Sequence, residues 1–187
     1  MISPNEVGRI LADADLSVRV LYFSALLARE TGLGQDGLVV VGGSAIEIYT
    51  RGRYASGDID VVGDRARILR VLKAWGFRKG GRVWHQDEWK VVVDIVREHY
   101  RGDLERTQVV ATEYGNVRVA AIEDVLAKRL ISTKHWKRPE DFEQALLLAT
   151  RYRDEIDWAY VAELARRDLA TDILAELRKR VGVPPGE

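Results

Sequence analysis

The alternation of hydrophobic and polar positions predicts helices at both ends of the chain. Near the start, two segments carry apolar residues at helical spacing, 3–14 and 16–31. From Ile122 onwards the spacing is helical again, and helices are expected at 122–132, 139–152, 157–168 and 171–181. The helices at both ends carry leucine-rich faces that could pack on the core or on another subunit.

The region between the terminal helices alternates between strand and helix patterns. β-branched and apolar runs predict strands at Leu38–Val41, Gly57–Val62, Phe77–His85, Trp89–Val96, Gln108–Thr112 and Val117–Ala120. Helices are expected at Ser44–Thr50, opened by the capping box Ser44-Ala45-Ile46-Glu47, and at Asp64–Trp75. The chain is therefore expected to be α/β (α+β), with a mixed sheet flanked by helices. The predicted parts are N-terminal helices packing on the core over 1–35, the α/β core over 36–120 and a C-terminal helical region over 121–187.

Two aspartates lie in the second predicted strand, Gly57–Val62. Strand side chains alternate between faces, so Asp58 and Asp60 project from one face, while Ile59 and Val61 project from the other. Aspartate is a poor strand former, and two carboxylates on one face repel each other. A divalent cation between them removes that repulsion, because hard oxygen ligands suit Mg²⁺ or Mn²⁺. The strand therefore predicts a metal site.

A third carboxylate, Asp94, lies inside the apolar run Trp89–Val96. An unpaired buried carboxylate costs several kcal/mol, so Asp94 needs a cation, an arginine or a metal as its partner. If this strand lies beside the strand of Asp58 and Asp60, three carboxylates converge on one point. Such a cluster is typical of two-metal phosphoryl transfer.

The segment Gly42-Gly43-Ser44 follows the first predicted strand and precedes a helix. Glycines permit a tight turn and close approach of a ligand to the backbone. The free N–H groups of a helix N-terminus bind phosphate readily. We therefore expect Gly42, Gly43 and Ser44 to bind a nucleotide through its phosphates.

These motifs together resemble the DNA polymerase β-type nucleotidyltransferase superfamily. The resemblance rests on Gly43-Ser44, then Asp58-Ile59-Asp60, then the later strand residue Asp94, and it covers about Leu38 to Val96. A weaker likeness continues through 121–130 and Arg138-Pro139-Glu140-Asp141. That part is similar to the small prokaryotic branch, which includes minimal nucleotidyltransferases and AbiE-type toxins.

The resemblance implies further nucleotide-binding residues. Arg51 and Arg53 precede the acidic pair, and Lys128 lies on a later helix, where the branch places a lysine that contacts the triphosphate. Read without the resemblance, Lys128 forms a surface ion pair with Asp124, four residues before it. The branch also carries an Arg-Lys-Asp segment, from which Arg138-Pro139-Glu140-Asp141 departs.

The implied activity is transfer of an NMP from an NTP to a hydroxyl acceptor, with two Mg²⁺ or Mn²⁺ ions. In this hypothesis Asp58 and Asp60 hold the ion at the β- and γ-phosphates. All three aspartates hold the ion near the α-phosphate, and Asp94 orients or deprotonates the acceptor hydroxyl. The acceptor is an RNA end such as that of a tRNA, a protein or a small molecule such as an aminoglycoside. No residue decides among these acceptors or names the base of the NTP.

Two other functions use the same residues. The chain could be an NTP-binding toxin–antitoxin component that acts with a partner protein such as an antitoxin; the complete set of carboxylates argues against an inactive site. It could also be a metal-dependent phosphohydrolase or nuclease with water as the acceptor. The glycine-rich segment favours a bound triphosphate, and hence transfer, over that last alternative.

Composition narrows the setting. The 187 residues include 29 basic and 29 acidic side chains, so the formal net charge is zero and the whole surface carries no nucleic-acid footprint. The absence of cysteine excludes disulfides and thiolate metal sites. No apolar stretch predicts a membrane span or a secretory signal, and the expected location is cytoplasmic. The expected state is a monomer or a homodimer.

One basic segment remains, Lys134-His135-Trp136-Lys137-Arg138. It could bind phosphates or an RNA backbone, with Trp136 stacking on a base. Equally, it could be a solvated loop between two helices. The sequence leaves both readings open.

Overall fold

A computed structural model describes the backbone of residues 1–184 and the side chains of that range except those of Ser17 and Gln35. The chain divides into two compact units, Met1–Ala120 and Ala121–Glu187. Residues 185–187, the end of the predicted C-terminal region, lie outside the described residues.

The first unit is built on a mixed sheet, seven-stranded in the described residues. Its strands are β1 (Leu38–Val40), β2 (Ile59–Gly63), β3 (Arg78–Gly80), β4 (Val83–Gln86), β5 (Val91–Arg97), β6 (Gln108–Thr112) and β7 (Gly115–Val119). They follow the order β3-β4-β5-β2-β1-β7-β6, in which β2–β5 and β1–β7 are parallel and the other neighbours are antiparallel. The predicted mixed sheet flanked by helices is confirmed.

Helices of the first unit cover the sheet with their apolar sides. They are α1 (Pro4–Asp13), α2 (Leu16–Glu30), α3 (Gly34–Gly37), α4 (Gly42–Thr50) and α5 (Arg65–Ala74). The rings of Phe23, Trp75, Phe77 and Trp89 form one cluster, with centroids 5.7 to 6.2 Å apart. Each such ring pair adds about 0.5–1.5 kcal/mol beyond the area it buries. The cluster thus joins α2 and the end of α5 to the turn that leads into β5.

The second unit consists of helices α6 (Ile122–Trp136), α7 (Pro139–Tyr152), α8 (Trp158–Arg167) and α9 (Thr171–Val181). Fully buried apolar residues from all four helices meet inside it, among them Leu130, Leu148, Val161 and Leu177.

None of the helices in the described residues combines the length and the apolar character needed to cross a membrane.

Asp141 is buried within this helical unit. Its carboxylate accepts a hydrogen bond from the Ser132 hydroxyl and lies 3.3 Å from Arg129 Nη1. Both contacts are made between α6 and α7, so they hold these two helices together and leave the Asp141 charge compensated.

Several predicted strand boundaries were wrong, and two of them bear on the site. The expected strand Phe77–His85 is a hairpin of β3 and β4, because Gly81 takes a φ of +65° and turns the chain back at Gly81-Arg82. The expected strand Gly57–Val62 begins two residues later, at Ile59, because Gly57 has a φ of +82°. Asp58 therefore lies just before β2.

The first helix of the second unit is also longer than predicted. It runs to Trp136 and ends at Lys137, which adopts the left-handed conformation with a φ of +50°. Most of the basic segment Lys134–Arg138 is thus the last turn of α6, and only Lys137 and Arg138 connect it to α7. The reading of that segment as an interhelical loop was wrong for its first three residues.

Candidate active site

Parallel pairing of β2 and β5 brings the predicted carboxylates together. Ile59 lies opposite Val93, and Asp60 lies opposite Asp94, so the two aspartates share one register position on neighbouring strands. Asp58 comes from the residue that precedes β2. The convergence of three carboxylates was predicted on the condition that these two strands are neighbours, and β2 and β5 are neighbours in the sheet.

The side chains of Asp58, Asp60 and Asp94 form one acidic cluster. Each offers a carboxylate oxygen, and these oxygens all lie within 4.8 Å of one another. Asp94 is buried, while Asp58 and Asp60 are half-buried. Burial, and next the nearby Asp94 carboxylate, raise the pKa of Asp58 above its usual range, whereas the Arg82 guanidinium lowers it. Three like charges in this space favour a bound cation.

The N-terminus of α4 lies against the Asp60 side chain of the acidic cluster. Gly43 N–H donates to Asp60 Oδ2 at 2.9 Å. Gly42 has a φ of +58°, and a Cβ there would overlap the Asp60 carboxylate. At Gly43 a Cβ would lie 2.9 Å from Ser56 Cβ. The two glycines therefore let the helix start lie directly against Asp60.

The Ser44 hydroxyl connects α4 to the backbone of the two residues that flank Ile59, Asp58 and Asp60. Its hydroxyl donates to the Asp58 carbonyl at 2.6 Å and accepts from Asp60 N–H at 2.8 Å. The predicted capping box was wrong, because α4 begins at Gly42, two residues early, and Ser44 lies inside the helix. Val41 takes the N-cap position without a side-chain bond. Ser44 instead fixes the backbone that presents the two aspartates.

The loop between α4 and β2 also contacts the backbone of Asp58. Ser56 Oγ donates to the Asp58 carbonyl at 2.7 Å, which therefore accepts two hydroxyl hydrogen bonds. Ser56 N–H donates to Glu47 Oε2 at 2.8 Å. Glu47, predicted to close the capping box, instead anchors this loop. Sequence reasoning missed Ser56, because its role depends on a turn that only Gly57 signals.

Arg51 lies at the end of α4 opposite its glycines, and Arg53 follows it in the loop to β2. Arg51 caps the C-terminus of this nine-residue helix, about 13 Å from its start by helical rise, and has a φ of +52°. Both arginine side chains are exposed. The structure thus brings Gly42, Gly43 and Ser44 to the acidic cluster, and it places Arg51 at the opposite helix end.

Lys128 is an exposed residue of α6 in the second unit. Its Nζ lies 5.6 Å from the centroid of the Trp136 ring, an arrangement that favours a cation–π contact. Asp124, the partner expected from sequence spacing, accepts a hydrogen bond from the Tyr160 hydroxyl at 3.1 Å. The contact of Lys128 with a nucleotide stays a prediction.

Arg82 is a charged neighbour of the acidic cluster that sequence reasoning missed. Its Nη2 lies 2.7 Å from Asp94 Oδ2. The signal that could have revealed it is Gly80-Gly81, which interrupts the predicted strand Phe77–His85 and marks a turn. Reading that run as one strand hid the turn that brings Arg82 to Asp94.

The acidic cluster fits a divalent cation by its chemistry. All three ligands are carboxylate oxygens, the ligand type that Mg²⁺ and Mn²⁺ prefer. The pKa of Asp58 is raised by burial first and by the neighbouring Asp94 carboxylate second, and a cation bound here would offset both effects. Asp58, Asp60 and Asp94 are therefore the residues that would hold such an ion.

Comparison with known protein families adds an independent result. A family model described as "Nucleotidyltransferase of unknown function (DUF6036)" matches residues 23–181, most of the chain. The chain belongs to this nucleotidyltransferase family. Neither the curated proteins nor the solved structures contained a match.

Membership in the DUF6036 nucleotidyltransferases makes the protein an enzyme of nucleotide transfer and implies an NTP substrate. The match includes the acidic cluster and the α4 start, and it extends through the helices of the second unit. The resemblance found in the motifs is thereby confirmed at the level of nucleotidyltransferases.

Proposed function

We propose that this protein transfers an NMP from an NTP to a hydroxyl acceptor with the help of Mg²⁺ or Mn²⁺. The observation that carries the proposal is the acidic cluster, whose carboxylate oxygens lie within 4.8 Å of one another. Its position beside a glycine-rich helix start supports a reaction on a phosphate-bearing substrate. We assign catalysis to the core over 36–120, with the helices over 1–35 packed on it.

In the proposed reaction, the acceptor oxygen attacks the α-phosphorus of the NTP. The bond between that phosphorus and the oxygen bridging to the β-phosphate breaks, and pyrophosphate leaves with the electron pair. The hydroxyl proton passes to Asp94, the most buried of the three carboxylates, and then to water. Divalent ions held by Asp58, Asp60 and Asp94 would supply charge stabilisation for the attacking and leaving oxygens.

The surrounding residues set up this geometry. Ser44 and Ser56 hold the Asp58 carbonyl, and Ser44 also holds Asp60 N–H, so both carboxylates have a fixed backbone before substrate binds. Such preorganisation lowers the cost of orienting ligands in the transition state. Of the residues predicted to bind the nucleotide, Gly42 and Gly43 are proposed to lie beside the phosphates, and Ser44 to act through the backbone that it holds. Arg51, Arg53 and Lys128 are proposed as neutralising side chains.

A labelling experiment tests this proposal. The purified protein is incubated with each α-³²P-labelled NTP and Mg²⁺ or Mn²⁺, with itself, total tRNA or a cell lysate as the acceptor source. We expect label in one fraction, lost to background in Asp58→Ala and in Asp94→Asn. Asp87→Asn is the matched control, because it removes an exposed carboxylate of the first unit and leaves the acidic cluster intact.

Three outcomes of this experiment separate the hypotheses. Labelling that survives in both Asp58→Ala and Asp94→Asn would contradict the assigned site. Free NMP without a labelled acceptor would favour a phosphohydrolase. Tight, metal-dependent NTP binding without any labelled product would favour a binding component that acts with a partner protein, the alternative suggested by the likeness to AbiE-type toxins.

A further inference from the structure

The β3–β4 hairpin delivers a positive charge to the acidic cluster. Its two-residue turn, Gly81-Arg82, lies next to β5, because β4 pairs with β5 and places Trp84 opposite Val93. From this turn the Arg82 guanidinium reaches Asp94, with Nη2 2.7 Å from Oδ2. The hairpin is thus part of the site's electrostatics, although none of the sequence motifs includes it.

The two partners of this ion pair differ in exposure. The Asp94 side chain is 9% exposed, whereas the Arg82 side chain is 81% exposed. A buried carboxylate needs a cation, but an arginine in water gains little from holding one. The ion pair therefore stabilises the Asp94 carboxylate far more than it stabilises Arg82. Arg82 can move away with little loss of free energy when another cation binds Asp94.

The charge balance around the pair is uneven. The Arg82 guanidinium contacts one of the three clustered carboxylates, that of Asp94. Burial and the Asp94 charge raise the pKa of Asp58, and the Arg82 charge offsets part of that rise. A divalent cation among the three carboxylates would carry twice the charge of Arg82 at the same position. Arg82 and the metal would then repel each other, and the guanidinium would turn outward from its exposed turn.

We propose that Arg82 is an exchangeable cation, which neutralises Asp94 until a divalent ion binds and then contacts the polyphosphate of the nucleotide. This inference rests on the proposed function, since it takes the acidic cluster as the metal site and an NTP as the substrate. It assigns a nucleotide-positioning role to a residue outside the recognised motifs.

The second half of the proposal follows from the chemistry of the guanidinium. Arginine presents a planar fork of donors that matches phosphate oxygens, and such pairs are strong when bidentate. A metal-bound triphosphate would bring several negative charges close to Asp94. An arginine released on a short, exposed turn beside that point is placed to bind them.

The test measures metal and polyphosphate binding separately, by calorimetry on the full chain. Arg82→Ala should bind Mn²⁺ about three- to tenfold more tightly than the parent protein, because a competing charge is removed. With Mg²⁺ in excess, the same variant should bind inorganic tripolyphosphate several-fold more weakly. Arg82→Lys should restore part of the tripolyphosphate affinity. A residue that only stabilised the hairpin would not produce these opposite changes.

Controls keep this test separate from the test of the proposed function. Arg78→Ala removes another exposed arginine of the same hairpin, one that pairs with Asp87, and should change neither affinity. Asp58→Ala should lower Mn²⁺ affinity. If the parent protein binds no Mn²⁺, or Asp58→Ala binds it equally well, the proposed metal site fails. If those results hold but Arg82→Ala leaves Mn²⁺ or tripolyphosphate affinity unchanged, the role of Arg82 alone is overturned.

Discussion

The acidic cluster and the basic segment each group side chains of like charge, but the protein compensates those charges differently. In the basic segment, Lys134 Nζ lies 2.6 Å from Asp172 Oδ2, and the His135 ring bonds the Asp168 carbonyl at 2.8 Å. Its positive charge is used in holding helix ends together. In the acidic cluster, the carboxylate oxygens lie within 4.8 Å of one another, and the exposed Arg82 guanidinium lies 2.7 Å from Asp94 Oδ2. Charge that the fold leaves uncompensated is the better sign of a ligand site.

The two regions also differ in how rigidly their backbones are set. Asp58 and Asp60 are held by hydrogen bonds from Ser44, Ser56 and Gly43. Much of the basic segment is an exposed helix end, where the Trp136 side chain is 60% exposed. Substitutions in the first region should therefore change stability more, in either direction, than those in the second.

The largest effect is expected for Gly42→Ala. A Cβ at this position would overlap the Asp60 carboxylate, and alanine is strained at a φ of +58°. We expect a loss of about 2 kcal/mol or more in the free energy of unfolding, together with weaker Mn²⁺ binding. Chemical denaturation and calorimetry measure these two quantities.

Gly32→Ala is the matched control for that strain. Gly32 has a similar φ of +67°, but nothing lies within 4 Å of its would-be Cβ. It should lose stability without any change in Mn²⁺ affinity. Equal losses of metal affinity in the two variants would contradict a specific contact between the α4 start and Asp60.

A smaller effect of opposite sign is expected for Asp58→Asn in the metal-free protein. Because the pKa of Asp58 is raised, the folded state binds its proton more tightly than the unfolded state does. Stability from this group is therefore present at low pH and lost as the pH rises through the folded-state pKa. Removing the charge should raise the Tm in EDTA at neutral pH by no more than about 3 °C.

The pH dependence distinguishes this effect from a general one. The gain in Tm should shrink as the pH falls towards about 4, the usual pKa of aspartate, where the parent residue is also neutral. Added Mn²⁺ should stabilise the parent protein but not Asp58→Asn. A lower Tm for the variant at neutral pH would mean that the Asp58 charge is already well compensated.

The smallest effect is expected for Lys134→Ala, which removes an exposed ion pair of the basic segment. Exposed pairs contribute little and are screened by salt. Lys134 lowers the pKa of Asp172, so the stability it provides is present above the usual aspartate pKa and lost as the pH falls through the lowered value. Thermal melts in low and high salt should show a small loss that salt removes. A loss unaffected by salt would point to packing instead of charge.

Sequence patterns predicted the acidic cluster because its formation depends on only one long-range feature of the fold, the pairing of two strands. Asp58, Asp60 and Asp94 needed only the pairing of two strands, and apolar runs indicate strands well. The roles of Ser44 and Glu47 were misread, because the same Ser-x-x-Glu spacing occurs at a helix start and inside a helix whose start lies two residues earlier. Local spacing does not reveal that the Ser44 hydroxyl meets the Asp58 carbonyl instead of its own helix.

Arg82 shows a second limit of sequence reasoning. A residue on a tight turn is assigned to its local hairpin, and its partner on another strand depends on how the sheet is ordered. The order β4-β5-β2 brings the hairpin to the carboxylates, yet strand order is set by packing over the whole unit. The sequence therefore identified the carboxylates of the acidic cluster better than the charged side chains around them.

The register of β2 and β5 also has a consequence for how related chains can diverge. A one-residue insertion inside either strand would turn Asp60 or Asp94 to the opposite face and dismantle the site at once. Insertions in the connection between these strands, which holds α5 and the β3–β4 hairpin, leave that pairing untouched. Length changes in that connection are therefore compatible with the acidic cluster, and a change within the β3–β4 hairpin would move Arg82 instead of the carboxylates.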